Sequence, residues 1–130
     1  MGRRFWKMTG SGNDFVVFDS RSAGREPLER PDAVQTLSAR GTGVGSDGVV
    51  FLAPATLPGA EVAMRYYNAD GSRATFCGNA TLCITRLANE LGLSPQGSLA
   101  LESDLGVIAT RMVAGRPEID LPAVHEVVEQ

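Results

Sequence analysis

The residues best suited to chemistry lie in one stretch, Asn68-Ala69-Asp70-Gly71-Ser72-Arg73-Ala74-Thr75-Phe76-Cys77-Gly78-Asn79-Ala80-Thr81-Leu82-Cys83. It reads as the end of a strand, a tight Asp-Gly turn, a short return strand, and a cysteine stepping onto a helix. From Gly78 the apolar residues Ala80, Ile84, Leu87, Ala88 and Leu91 recur at helical spacing and Gly92 follows as a stop, so the helix begins at Cys77 or just after it. The first N–H groups of a helix lack internal partners, and its aligned peptide dipoles leave partial positive charge there. A thiol in that position has its thiolate favoured and can handle protons. Asn79 adds an amide able either to cap the helix or to hold a ligand carboxylate. A cysteine in a chain of this kind is most often a small buried hydrophobe. Against that stand the polar Asn, Gly and Ser residues around Cys77, where a core would want apolar volume.

The elements that position this stretch follow from the pattern on either side. Arg3 to Met8 reads as a first strand, and Thr9 to Asp14 as a loop with two glycines, a hairpin connection or a ligand loop. Phe15 to Asp19 is an apolar, β-branched run and a strand. Pro31-Asp32 opens a helix running to about Arg40, with Val34, Leu37 and Ser38 on one face and Gly41 as its stop. The glycine-rich run from Gly41 to Gly48 lacks the Lys-Ser/Thr pair of a phosphate-cradling loop and leads into a strand, Val49 to Leu52, so nucleotide binding is discarded. Ala60 to Tyr67 alternates in part, through Val62, Met64 and Tyr66, and delivers Asn68 to its end. Leu99 to Glu102, Val107 to Met112 and Glu118 to Leu121 complete the strands. Strands outnumber helices, so the fold class is α+β, with one helix packed into a curled sheet.

Composition narrows the function classes. The chain of 130 residues is long enough for one domain with a core, with 43% hydrophobic and 21% charged residues. A net charge of −3 with scattered Lys and Arg leaves no electrostatic footprint for nucleic acid. No charged and apolar leader and no long apolar run is present, so neither secretion nor a membrane partner is expected and the protein is read as cytoplasmic. Cys77 and Cys83 lie six residues apart, which on one helix points them away from each other, and both are read as reduced thiols. The single histidine, His125, falls in the tail and is read as a surface residue. No metal site is read.

Three ordered blocks carry a resemblance. Lys7-Met8-Thr9-Gly10-Ser11-Gly12-Asn13-Asp14-Phe15 resembles the opening signature of diaminopimelate epimerases. Arg40-Gly41-Thr42-Gly43-Val44-Gly45-Ser46-Asp47-Gly48 resembles their second block, and Met64 to Ser72 leading to Cys77-Gly78-Asn79 their active-site block. The resemblance implies a cofactor-independent amino-acid epimerase or racemase, an isomerase of amino-acid (lysine) biosynthesis. It also implies two similar halves, each a curled, mostly antiparallel sheet wrapped around a central helix, with the substrate between them. By the same resemblance Cys77 matches one of two catalytic cysteines, and Asn13, Asn68, Gly78 and Asn79 match positions that hold the substrate's amino-acid head. Residues 1–122 then form the first half, and 123–130 a tail or linker towards a second half.

Two departures bear on function. The family continues Cys-Gly-Asn with Gly-x-Arg-Cys, whereas this chain has Ala80-Thr81-Leu82-Cys83, placing Leu82 at the arginine position. That change favours a racemase for a different amino acid as one alternative. The resemblance also covers only the first half of such enzymes. The half carrying the second cysteine is therefore expected from a partner, a separate subunit more readily than a second copy of the same chain. An isolated monomer is expected to be inactive, and a non-catalytic truncated domain is the other alternative.

Overall fold

The computed structural model describes residues 4–10, 12–22, 26–74 and 77–120. The first two strands, β1 (Trp6–Gly10) and β2 (Asn13–Asp19), form an antiparallel hairpin in which Gly10 faces Asn13. The expected loop from Thr9 to Asp14 is thus mostly strand, with β1 running to Gly10 and β2 starting at Asn13, and Gly12 in a turn. Gly12 sits at φ 91°, a conformation that an L side chain resists and that lets the chain reverse over so short a link.

Helix α1 (Pro31–Ser38) crosses over to β3 (Gly48–Ala53), which pairs parallel to β2. The helix ends two residues before the expected Arg40, because Ala39 turns extended (φ −64°, ψ 127°). The glycine run then folds back onto the exposed helix end, with Gly43 N–H donating to Ala39 O at 2.9 Å, Gly45 N–H to Leu37 O at 2.9 Å and Ser46 N–H to Ser38 O at 3.1 Å. These bonds use carbonyls that a helix C-terminus leaves unpaired. A Cβ on Gly43 would lie 2.1 Å from Thr36 O, so only glycine fits.

Next, β4 (Val62–Asn68) pairs antiparallel with β3, and α2 (Gly78–Glu90) crosses to β5 (Ser98–Ser103), which pairs parallel to β4. The last strands, β6 (Gly106–Val113) and β7 (Arg116–Ile119), complete an antiparallel meander. The seven strands form one sheet in chain order, antiparallel except at the two crossovers. Helix α2 packs against β1, β6 and β7, from both edges of the sheet, so the sheet curls around it. This is the expected α+β architecture, a curled sheet with a helix at its centre.

Apolar packing explains the curl. Phe15 and Val17 of β2, Val50 and Leu52 of β3, and Val62, Met64 and Tyr66 of β4 face α2 and pack with its Ala80, Cys83, Ile84, Leu87 and Ala88. The opposite faces of β2 and β3, through Val16, Phe18, Val49 and Phe51, pack on Val34 with Leu37 of α1 beside them. Both faces of these central strands are buried, which is why they read as continuous apolar runs. The proposed tail, including His125, lies outside the described residues.

Candidate active site

Cys77 occupies the N-cap position of α2 in an extended conformation (φ −138°, ψ 111°), and its side chain makes no capping bond. The helix starts where the apolar periodicity places it. The first intrahelical bond runs from Thr81 N–H to Cys77 O at 3.0 Å, so the N–H groups of Gly78, Asn79 and Ala80 have no helical carbonyl before them. Thr81, fully buried, also donates its hydroxyl to Cys77 O at 2.8 Å. Two donors on one carbonyl pin the peptide that carries the thiol. Cys77 is a free, half-buried thiol resting on the α2-side core.

Asn79 does not cap the helix. Its Nδ2 donates to Asn13 Oδ1 at 2.6 Å, joining the start of α2 to the start of β2 across 66 residues of sequence. Asn13 in turn donates to Asp47 Oδ2 at 3.3 Å, and the same oxygen accepts the Asp14 N–H at 3.0 Å. Asp14 returns the contact by accepting the Asp47 N–H on Oδ1 at 3.0 Å. Arg40 forks onto both Asp14 oxygens at 2.9 and 3.1 Å and reaches Asp47 at 3.2 Å. Lys7 adds its ammonium 3.2 Å from Asp14 Oδ2. With Arg40 as the largest influence and Lys7 assisting, the Asp14 carboxyl is held well below the usual carboxylate range. The start of β2, the loop before β3 and the first turn of α2 are therefore laced into one polar edge.

Of the residues singled out from sequence, Cys77, Gly78, Asn79 and Asn13 lie along this edge. Asn68 is engaged elsewhere: exposed at the end of β4, it donates Nδ2 to Ser72 Oγ at 3.1 Å, and its carbonyl accepts the Gly71 N–H at 2.9 Å. Its side chain serves the Asp-Gly turn here. Of the expected return strand, the described residues show a bridge between Tyr67 and Arg73. Cys83 is buried in the core against β1, where a Cβ on Gly10 would sit 2.8 Å from its Sγ, and burial raises its thiol pKa. Leu82 lines a groove of about 450 Å³ between β1 and β7, with Lys7, Arg86 and Pro117 among its other walls.

Sequence reasoning passed over Asp14, Asp47, Thr81 and Tyr66. Asp14 and Asp47 stand within the glycine-containing blocks, but nothing in their spacing announces that they face each other. Thr81 was one helical position among several. Tyr66 carried a signal, its alternation with Met64 and Val62, which puts it on the face that α2 covers.

Chemically, the edge combines a thiol, a set of backbone N–H groups at a helix N-terminus, and amides fixed by charged neighbours. A helix N-terminus of this kind accepts a carboxylate, and an adjacent thiolate is a base able to reach a carbon next to it.

The diaminopimelate epimerase family model matches residues 5–119. The chain is 40% identical over 123 residues to a diaminopimelate epimerase of Gemmatimonas aurantiaca, covering 95% of this chain and 44% of the relative. It is 41% identical over 123 residues to one of Rhodospirillum centenum, covering 93% of this chain and 40% of the relative. The chain thus spans less than half the length of these relatives. Among solved structures, a hydroxyproline epimerase from Agrobacterium vitis superposes with a TM-score of 0.63 at 16% identity, over 86% of this chain and 38% of the other, a likeness of fold.

Proposed function

The chain belongs to the diaminopimelate epimerase family, and from that premise we propose that it is one half of a cofactor-independent amino-acid epimerase, contributing one of two acid/base groups. The observation that carries the reading is Cys77 at the N-cap of α2, flanked by unpaired helix N–H groups and by the Asn13–Asn79 hydrogen bond. The substrate carboxylate binds at the N–H groups of the first turn of α2, with Gly78 allowing close approach and Asn79 and Asn13 bonding the amino-acid head. Asn68 joins them by turning its amide from Ser72 to the ligand.

The Cys77 thiolate removes the α-proton. An S–H bond forms, the C–H bond breaks, and its electron pair delocalises into the carboxylate held by the helix. A protonated group on the opposite face returns a proton to the carbon and inverts it. Cys83 cannot serve, since it is buried in the core of the same half. The second group therefore comes from a second half-domain, and a distinct subunit supplies it better than a second copy, because the two ends of an amino acid differ. Alone, the monomer exchanges nothing at a useful rate.

Solvent deuterium incorporation at the α-carbon of diaminopimelate and other amino acids, with and without an added second half, tests this. Exchange only in the completed assembly, abolished by Cys77→Ala, is expected. Two-way exchange by the monomer alone, or exchange that survives Cys77→Ala, overturns it.

A further inference from the structure

The two amides of the polar edge have a direction. An Asn side chain carries an oxygen that accepts and an NH2 that donates, so two facing amides can bond either way round. Here Asn13 Nδ2 lies 3.3 Å from Asp47 Oδ2, and Asn13 Oδ1 lies 2.6 Å from Asn79 Nδ2. A carboxylate accepts and cannot donate, which leaves one arrangement. Turning the Asn13 amide over would set its oxygen against Asp47, acceptor against acceptor, and its NH2 against that of Asn79. Turning Asn79 alone would bring two carbonyl oxygens together.

Asp47 is firmly placed to impose this order. Its Oδ2 also accepts the Asp14 N–H at 3.0 Å, and its Oδ1 accepts Arg40 Nη2 at 3.2 Å. Its own N–H donates to Asp14 O at 2.9 Å and to Asp14 Oδ1 at 3.0 Å. The order therefore passes from the loop before β3, through the head of β2, to the first turn of α2. Bonds in such a chain polarise one another. Donation to an anion makes the Asn13 oxygen a better acceptor, and donation from Asn79 does the same for its oxygen.

That last oxygen is the open end. Asn79 Oδ1 has no hydrogen-bond partner among the described residues, and no buried side-chain N or O among them lacks one, so it reaches solvent. The N–H groups at the start of α2 favour an anion. A polarised carbonyl oxygen beside them favours a cationic donor.

We infer that Asp47 is a positioning residue which, through Asn13, fixes the Asn79 amide with its oxygen free for the ligand, and so selects a carboxylate bearing a neighbouring ammonium over one without it. The inference rests on the reading of this edge as an amino-acid site.

The direction can be read in the full chain, labelled with 15N and 13C, from scalar coupling across the hydrogen bond. Coupling from Asn79 Nδ2 to Asn13 Cγ is expected in the parent. It should vanish in Asp47→Ala and persist in Asp47→Asn, whose amide oxygen can still accept the Asn13 and Asp14 N–H groups. Coupling in the opposite sense, no coupling in the parent, or coupling that survives Asp47→Ala overturns the inference. The parent spectrum needs no variant and decides the matter should Asp47→Ala fail to fold.

Selection is read by titrating the same chain with L-alanine and with propanoate at neutral pH, following the Gly78 and Ala80 amide resonances. Alanine should bind the parent about tenfold more tightly, the worth of one hydrogen bond to a charged group. That preference should fall to within about threefold in Asp47→Ala and return in Asp47→Asn. No preference in the parent, or an undiminished one in Asp47→Ala, overturns the inference. Should neither compound move these resonances, the reading of the edge as an amino-acid site fails instead, and the coupling alone judges the role of Asp47.

Discussion

Gly48 offers a sharp test of how the site is packed. It opens β3, pairs with Asn68 across the β3–β4 ladder, and faces the Tyr66 ring diagonally on the α2 side. An ideal Cβ at this position falls 2.4 Å from Tyr66 Cε1, 2.6 Å from its oxygen and 2.7 Å from Cζ. These atoms belong to a buried ring wedged against Phe15, so the clash cannot be relieved by a flexible side-chain tip. Overpacking of this kind costs about 1–3 kcal/mol, while exchanging glycine for alanine within a strand returns about 0.5–1 kcal/mol. Gly48→Ala should therefore destabilise the chain by about 1–2 kcal/mol net, a drop in Tm of roughly 3–6 °C per kcal/mol for a domain of this size.

In a Tyr66→Ala background the obstacle is gone and only the backbone gain remains, so the sign should reverse. Urea unfolding of the four proteins of this cycle, read at constant m value, isolates a coupling of about 1–3 kcal/mol. An equal penalty for Gly48→Ala in both backgrounds would refute the packing argument. So would a neutral Gly48→Ala in the parent.

Two further outcomes follow from the polar edge. Asn79→Ala removes the donor to Asn13 and one head-group contact, so binding of an amino-acid analogue by the completed assembly should weaken by about tenfold while Tm stays within a few degrees; collapse of the fold would show the amide to be structural. Arg40→Gln acts through Asp14, whose depressed pKa contributes stability that is present in full above the unfolded value of about 3.9 and is lost as pH falls through the folded value. The stability gap between the parent and Arg40→Gln, followed by urea midpoints, should be widest near neutrality and close below about pH 4; a gap that widens on acidification contradicts the assignment.

Local features of this chain were legible because they depend on near neighbours. The helical period from Ala80 to Leu91 announced α2 and set its start at Cys77, since capping and amphipathic spacing act over one turn. The apolar runs Phe15–Phe18 and Val49–Leu52 announced strands, and the fold buries them on both faces. The three sequence blocks carried the family, which the match over residues 5–119 shows.

What only the tertiary structure decided are the meetings between distant residues. That Asn79 bonds Asn13 rather than capping its own helix depends on the curl of the sheet, which brings the head of β2 to the head of α2. That the glycine run caps α1 follows from Ala39 leaving the helix early, an event local propensity does not encode. Tyr66 shows the division most plainly. Alternation along β4 chose its face, but the room for its ring came from the missing side chain at Gly48 on the neighbouring strand, which the β3–β4 register sets diagonally opposite it. Period and composition describe what a segment buries; which groups then face one another is set by how the buried surfaces close on each other in space.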